Sequence, residues 1–110
     1  KFVRDGMGRI GNAIDSIVSL GCVLSGTHLE RSVLGPWTLS GGGATITDSV
    51  LFDHVSVGAG ARVHRAILDK NVVIEPGATV GVDRELDLSR GFTVTDSGLT
   101  VVGKNIRITS

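Results

Sequence analysis

Apolar residues recur along this chain in steps of six, six and five. That spacing fits neither the 3.6-residue period of a helix nor the two-residue alternation of a long strand. The pattern is clearest in two adjoining stretches, RSVLGPWTLSGGGATIT at 31–47 and DSVLFDHVSVGAGARVH at 48–64, each 17 residues long. RAILDKNVVIEPGATVG follows at 65–81, and DSIVSLGCVLSGTHLE, one residue shorter, precedes at 15–30. Set one above another and numbered by column, the copies agree in chemistry. Column 3 reads Ile17, Val33, Val50, Ile67, and column 4 reads Val18, Leu34, Leu51, Leu68. Column 13 is Gly26, Gly43, Gly60, Gly77, provided the short copy lacks one residue before Gly26. Column 14 is Thr27, Ala44, Ala61, Ala78, and column 16 is Leu29, Ile46, Val63, Val80.

Within a copy the main aliphatic positions are columns 4, 10 and 16, as in Leu51, Val57 and Val63. Four places after each comes a small or β-branched residue: Val55, Ala61, Ile67. Each step is a short strand plus a corner, and three steps return the chain to its start, one layer on. Parallel strands in such a coil lie roughly 4.8 Å apart, and no turn buries its inner face without a neighbour. The pattern therefore predicts an all-β, single-stranded parallel β-helix of about four turns over 15–81, triangular in section and roughly 20 Å tall. Val18, Leu34, Leu51 and Leu68 are expected in one inward column. Residues 1–14 read as a lead-in strand and loop, with turn signals at Asp5-Gly6 and Gly11-Asn12. Residues 82–110 read as a charged connector, VDRELDLSRG, followed by a hairpin around Asp96-Ser97-Gly98 that caps the coil.

Composition narrows the picture. Sixteen glycines against two prolines, with 4% aromatics, suit a coil of corners and not a helical bundle. Eleven basic and eleven acidic residues leave no net field to draw the chain onto nucleic acid or an acidic membrane. One cysteine, Cys22, cannot form an internal disulfide, which points to a reducing cytoplasm. There is no 18-residue apolar run and no signal segment, and the start at Lys1 reads as a piece of a longer protein.

Candidate chemistry is sparse. Gly41, Gly42 and Gly43 end on the corner glycine of the repeat, so corner geometry accounts for them better than a phosphate loop does. His28, His54 and His64 fall in columns 15, 7 and 17 of different layers, and none has a second ligand at metal spacing, so no metal site is expected. They read as surface side chains, without the enclosure a general base needs. Cys22 shares column 8 with Thr38, Val55 and Val72 and is expected inside and inert. Val23, Leu39 and Val73 in column 9, with Trp37 in column 7, bracket that inward column and are expected to project outward as an apolar contact ridge along one corner. Arg62, Arg65 and Lys70, with Arg90 beyond the coil, form a basic set suited to an anion shared with something outside this chain, unless Asp48 and Asp53 neutralise them.

DSIVSLGCVLSGTHLERSVL, SVGAGARVHRAILDKNVVIEPGATVGVD and GFTVTDSGLTVVGK together resemble the C-terminal domain of bacterial glucose-1-phosphate adenylyltransferases, over nearly the whole chain. The resemblance implies a left-handed coil of hexapeptide-repeat type, an exception to the right-handed crossover rule. It implies a regulatory and oligomerisation domain. The partners would be an N-terminal catalytic domain, the subunits of a homotetramer, and phosphorylated or carboxylate metabolite effectors. ATP and Mg2+ would belong to the catalytic domain, which joins ATP to glucose 1-phosphate to give ADP-glucose and pyrophosphate; these 110 residues would have no catalytic residue, bind no cofactor and be inactive alone. Arg62, Arg65, Lys70 and Arg90 occupy places where family members carry basic residues, whereas His64 and Thr93 depart from basic residues found in some. The runner-up is an acyltransferase-type or purely structural β-helix.

Overall fold

The computed structural model of the protein describes residues 1–110, with seventeen short strands and one helix, Arg84–Ser89. Each repeat gives one strand to each of three parallel sheets, which form the faces of a prism. The first face stacks Ile17–Val18, Val33–Leu34, Val50–Leu51, Ala66–Leu68 and Thr100–Val102. The second stacks Phe2–Val3, Val23–Ser25, Leu39–Ser40, Ser56–Val57, Val73–Ile74 and Arg107–Ile108. The third stacks Asn12–Ile14, His28–Glu30, Thr45–Thr47, Arg62–His64 and Thr79–Val80. Column lies against column throughout: Val33 pairs with Val50, Leu39 with Ser56, and Thr45 with Arg62. The molecule measures 35 × 23 × 23 Å.

Every turn bends at three left-handed residues, one per corner. Column 1 supplies Asp15, Arg31, Asp48 and Arg65 at φ of 48 to 51°. Column 7 supplies Gly21, Trp37, His54 and Asn71, and column 13 the four glycines. A non-glycine residue in this region costs about 1–2 kcal/mol, so the stack must hold it there. At Trp37 (φ 64°) the indole lies over Gly21, where a Cβ would collide with the ring, and stacks on His54 with ring centroids 6.4 Å apart.

The core is the inside of the prism. Leu34, Leu51 and Leu68 are buried in one column as expected and Val102 extends it, while Val18, in the outermost layer of that face, is half-buried against the core. Column 8, with Cys22, Thr38, Val55 and Val72, is buried throughout. Column 3 departs from the expected inward step from Val63 to Ile67. Ile17 is 65% and Val33 38% exposed, because the shortened step brings column 2 inward instead. There Ser32, Ser49, Ala66 and Thr100 are buried. The serines act as a hydroxyl ladder: Ser16 Oγ accepts from Ser32 N, Ser32 Oγ from Ser49 N, and Ser49 Oγ from Ala66 N, each at 3.1 Å. Each hydroxyl in turn donates to a carbonyl two residues upstream, so the amides that the column 1 bend turns inward find partners.

Both ends differ from the simple lead-in and cap. Residues 1–14 form two sides of an additional layer, with the amino group of Lys1 donating to Cys22 O at 2.8 Å. The loop between its strands is tied by Asp5, whose carboxylate accepts from Met7 N, Arg9 N and Arg9 Nε at 2.9, 2.9 and 2.6 Å. Asp5 occupies the space a Cβ on Gly26 or Gly42 would take, and Arg9 lies over Gly43. The triple glycine is thus the bed of this loop.

At the other end the connector is the helix Arg84–Ser89, and Thr93–Val94 does pair antiparallel with Thr100–Val102. The segment is more than a hairpin cap, however. From Leu99 the chain rejoins the coil in register, with Ile67 opposite Val101 and Val73 opposite Arg107, and Asn105 takes the column 7 bend at φ 63°. Residues 82–98 are an excursion between the fourth turn and a partial fifth.

Candidate functional site

The excursion is anchored by Asp87, a helical carboxylate only 1% exposed. Its Oδ2 accepts from Gly81 N, where the chain leaves the coil, at 2.9 Å, and from Thr100 Oγ1, just after it returns, at 3.0 Å. Arg90 Nη1 lies 3.4 Å from Oδ1. The same guanidinium donates to Thr79 O at 2.7 Å and Thr109 O at 2.8 Å, the downward carbonyls of the third and second faces. Arg90 therefore closes the end of the coil and packs 6.0 Å from the centre of the Phe92 ring.

The remaining basic residues of the predicted set are dispersed. Arg62 is exposed on the third face, Arg65 sits at the column 1 corner, and Lys70 lies at the far end of the first face before the column 7 corner. Arg65 donates to Ser97 O at 2.7 Å, holding the hairpin turn against the coil. A shallow groove of about 210 Å³ runs along Arg62 between Thr45, Thr47, His64 and Val82. Pockets that enclose a small molecule are usually larger, about 300–1,000 Å³, so this groove is part of a site at most. His64 Nδ1 is 2.7 Å from Thr47 Oγ1 and 4.0 Å from Asp48 Oδ2.

Asp48 does neutralise a cation, but that cation is Arg31. Its guanidinium meets Asp48 through two bonds, 2.6 and 3.0 Å long, and also reaches Glu30. Hydrogen bonding to Arg31 holds the Asp48 carboxyl below its usual range, aided by the charges of Arg31, His64 and Arg65. Glu30 is lowered by its bonds from His28 and then Arg31, and Arg31 is raised by Asp48 and then Glu30. His28 joins Asn12 Oδ1 at 2.7 Å and Glu30 Oε1 at 3.1 Å. No three ligating side chains gather as a metal site requires, and no helix is long and apolar enough to cross a membrane.

Val23, Leu39 and Val73 point outward from the middle of the second face, not from a corner, with Leu39 51% exposed. Trp37, also 51% exposed, stands at the corner between the first and second faces. Asp87, the Arg31–Asp48 bridge and the serine ladder went unread in the sequence, although column 1 spells Asp15, Arg31, Asp48, Arg65 once the copies are aligned.

Three parallel faces, glycine or left-handed corners and six-residue steps define a parallel β-helix of the hexapeptide-repeat class. A family model described as GlmU-like, C-terminal hexapeptide matches residues 1–102, and the chain belongs to that family. Among curated proteins it is 58% identical over 108 residues to a glucose-1-phosphate adenylyltransferase of Leifsonia xyli subsp. xyli, covering 98% of this chain and 26% of the relative. Proteins of the same name from Bifidobacterium longum (strain DJO10A) and Parafrankia sp. are 55% identical over 105 residues and 50% over 108. These matches cover 96% and 98% of this chain and 25% and 26% of the relatives. The chain thus spans about a quarter of the length of the relatives it matches.

Proposed function

We propose that this chain is the assembly and regulatory β-helix of a cytoplasmic glucose-1-phosphate adenylyltransferase, the enzyme that forms ADP-glucose and pyrophosphate from ATP and glucose 1-phosphate for glycogen synthesis. One observation carries the reading: 58% identity extends over 98% of this chain yet meets only 26% of the relative. The residues present do not fit a magnesium–nucleotide site. The glycine run lies beneath Asp5 and Arg9, and the carboxylates of Asp48 and Asp87 are engaged by arginines. Nucleotide and Mg2+ binding are therefore assigned to a catalytic domain outside these residues. Acyl transfer is the poorer reading, because His54 is stacked on Trp37 and His28 and His64 are bonded to wall residues of their own face.

The regulatory part of the proposal rests on Arg62 and the groove beside it, with Arg65 at the adjoining corner and Lys70 apart at the far end of the first face. A phosphorylated or carboxylate metabolite shared with the catalytic domain suits such cations. Arg90 is set aside as an effector contact, since its donors close the coil. The test is an assay of ADP-glucose formation by the polypeptide with its upstream region and by residues 1–110 alone. Activity is expected only in the longer chain, with Arg62→Ala blunting its response to phosphorylated effectors. Activity in the 110 residues, or none in the longer chain, refutes the assignment.

A further inference from the structure

The largest concavity of the molecule, about 590 Å³, is separate from the Arg62 groove and lies at the corner between the second and third faces, where the loop 4–10 meets the coil. Its size falls within the range of about 300–1,000 Å³ usual for small-molecule sites. The loop supplies Arg4 and Arg9 to its lining, and the coil supplies Ser25, Gly42 and Ala59 from three successive turns. The loop is closed upon itself before any ligand arrives. Arg4 bridges Ile10 antiparallel, Asp5 N donates to Arg9 O at 2.9 Å, and Gly8 N donates to Asp5 O at 3.0 Å. Arg4 Nη1 donates to Gly8 O at 2.8 Å, and Arg9 Nε to Asp5 Oδ2 at 2.6 Å. Both guanidiniums keep donors to spare: Arg4 Nε and Nη2 and the two terminal nitrogens of Arg9 make no bond within the chain, and no carboxylate pairs with Arg4. Asp5, the one carboxylate of the lining, is engaged by three donors and only 3% exposed. The amides of Gly6 and Gly42 donate to no other group of the chain.

We propose that this concavity binds a small phosphorylated molecule, its phosphate held by Arg4 and Arg9 and its remainder lying on the wall made by Gly42 and Ala59. Charge selects an anion, because two guanidiniums face one carboxylate that is already engaged. Guanidinium forks favour oxyanions through paired, charge-assisted hydrogen bonds. A phosphate ester has three free oxygens to share between two forks, whereas a carboxylate has two and satisfies one. Phosphate alone leaves most of the volume empty, and the coil side is bare backbone with a single methyl group, flat enough for the body of a small polar molecule. Met7, 80% exposed, adds an apolar edge to the same lining. A ligand so bound bridges the loop to the second and third turns of the coil.

The test is calorimetric titration of the chain with glycerol 3-phosphate and with inorganic phosphate at about 0.15 M ionic strength, with amide NMR shifts to place the site and thermal melts as a folding control. Saturable binding is expected, with shifts at Gly6, Gly42 and Ala59 and with the ester bound more tightly than the free ion. Arg4→Gln should weaken binding about tenfold or more, since a charge-assisted bond is lost. Ala59→Glu sits on the coil, outside the bonds that close the loop, and should weaken it about 30-fold or more by setting a carboxylate against the phosphate. Arg62→Gln should leave the affinity within about twofold of the parent, because Arg62 lines a different groove. No saturable binding, shifts centred on Thr47 and His64 instead, or indifference to either Arg4→Gln or Ala59→Glu overturns the proposal, and equal affinity for ester and free phosphate overturns the role given to the wall. Because none of these readouts depends on ADP-glucose formation, they fail or succeed separately from the enzymatic assignment.

Discussion

Replacing Asp87 with alanine should detach the excursion from the coil at a cost worked from its bonds. The carboxylate accepts one backbone N–H and one hydroxyl at a site 1% exposed, and it faces the guanidinium that closes the coil. Leaving a buried donor without a partner costs about 1–3 kcal/mol each, and Thr100 can rotate its hydroxyl toward another acceptor, whereas the amide of Gly81 cannot move. Arg90 keeps its two carbonyl partners and loses its counter-charge. Together these give a loss of about 3–5 kcal/mol, a large share of a small domain's total stability. At an unfolding entropy of about 2.1 cal/mol/K per residue, that lowers Tm by roughly 13–22 °C for a chain of this length. Urea melts at two wavelengths would measure the loss, and hydrogen exchange would place it: protection should fall first at residues 82–102 and in Thr79–Val80, and last in the second and third turns. Asp87→Asn should lose less, since an amide oxygen can still accept from Gly81 and Thr100. A loss below about 0.5 kcal/mol for alanine, or uniform loss of protection, would show that the excursion is held by its apolar contacts and that Asp87 is incidental.

Leu51→Ala, in the middle of the inward column, should cost about 2–5 kcal/mol, and an unchanged urea midpoint would contradict its burial. The depressed carboxyls of Asp5, Glu30 and Asp48 fix the sign of the acid response. Their contribution is whole above the ordinary carboxylate range and is lost as the pH falls from about 4.3 through their lower folded values. In Asp5 burial pushes the carboxyl up, but the bonds from Arg9 and Met7 outweigh it. Asp48→Asn should flatten that acid limb in a pH series of thermal melts, and an unaltered limb refutes the bridge. Trp37→Asn exchanges a strained indole for a residue that tolerates left-handed backbone; the half-covered ring stacked on Gly21 and His54 outweighs the strain, so a net loss of about 1–2 kcal/mol is expected. A raised melting temperature would mean that strain dominates.

The coil was legible because its signal is vertical. Leu34, Leu51 and Leu68 declare an inward column only in comparison with one another, and the stacking that makes them neighbours also fixes their direction. The same comparison, carried past Gly81, aligns LTVVGKNIRI with RAILDKNVVI and locates the fifth layer. It was obscured because the chain first leaves the coil for 82–98, and Asp-Ser-Gly inside that excursion is a genuine turn. Column 3 misled for a different reason. An outward aliphatic ladder and an inward one have the same composition, and only the five-residue step, which puts the serines of column 2 inside, separates them. Asp5 and Asp87 were illegible in principle, since neither has an equivalent in another turn. Each is placed by residues distant along the chain: Asp5 fills the space above Gly26 and Gly42, and Asp87 accepts from Gly81 and Thr100. A residue whose partner is set by where the chain returns cannot be read from its own repeat. The charged corner lies between these cases: each member looks like solvated surface in its own copy, and the alternation appears only when the copies are stacked.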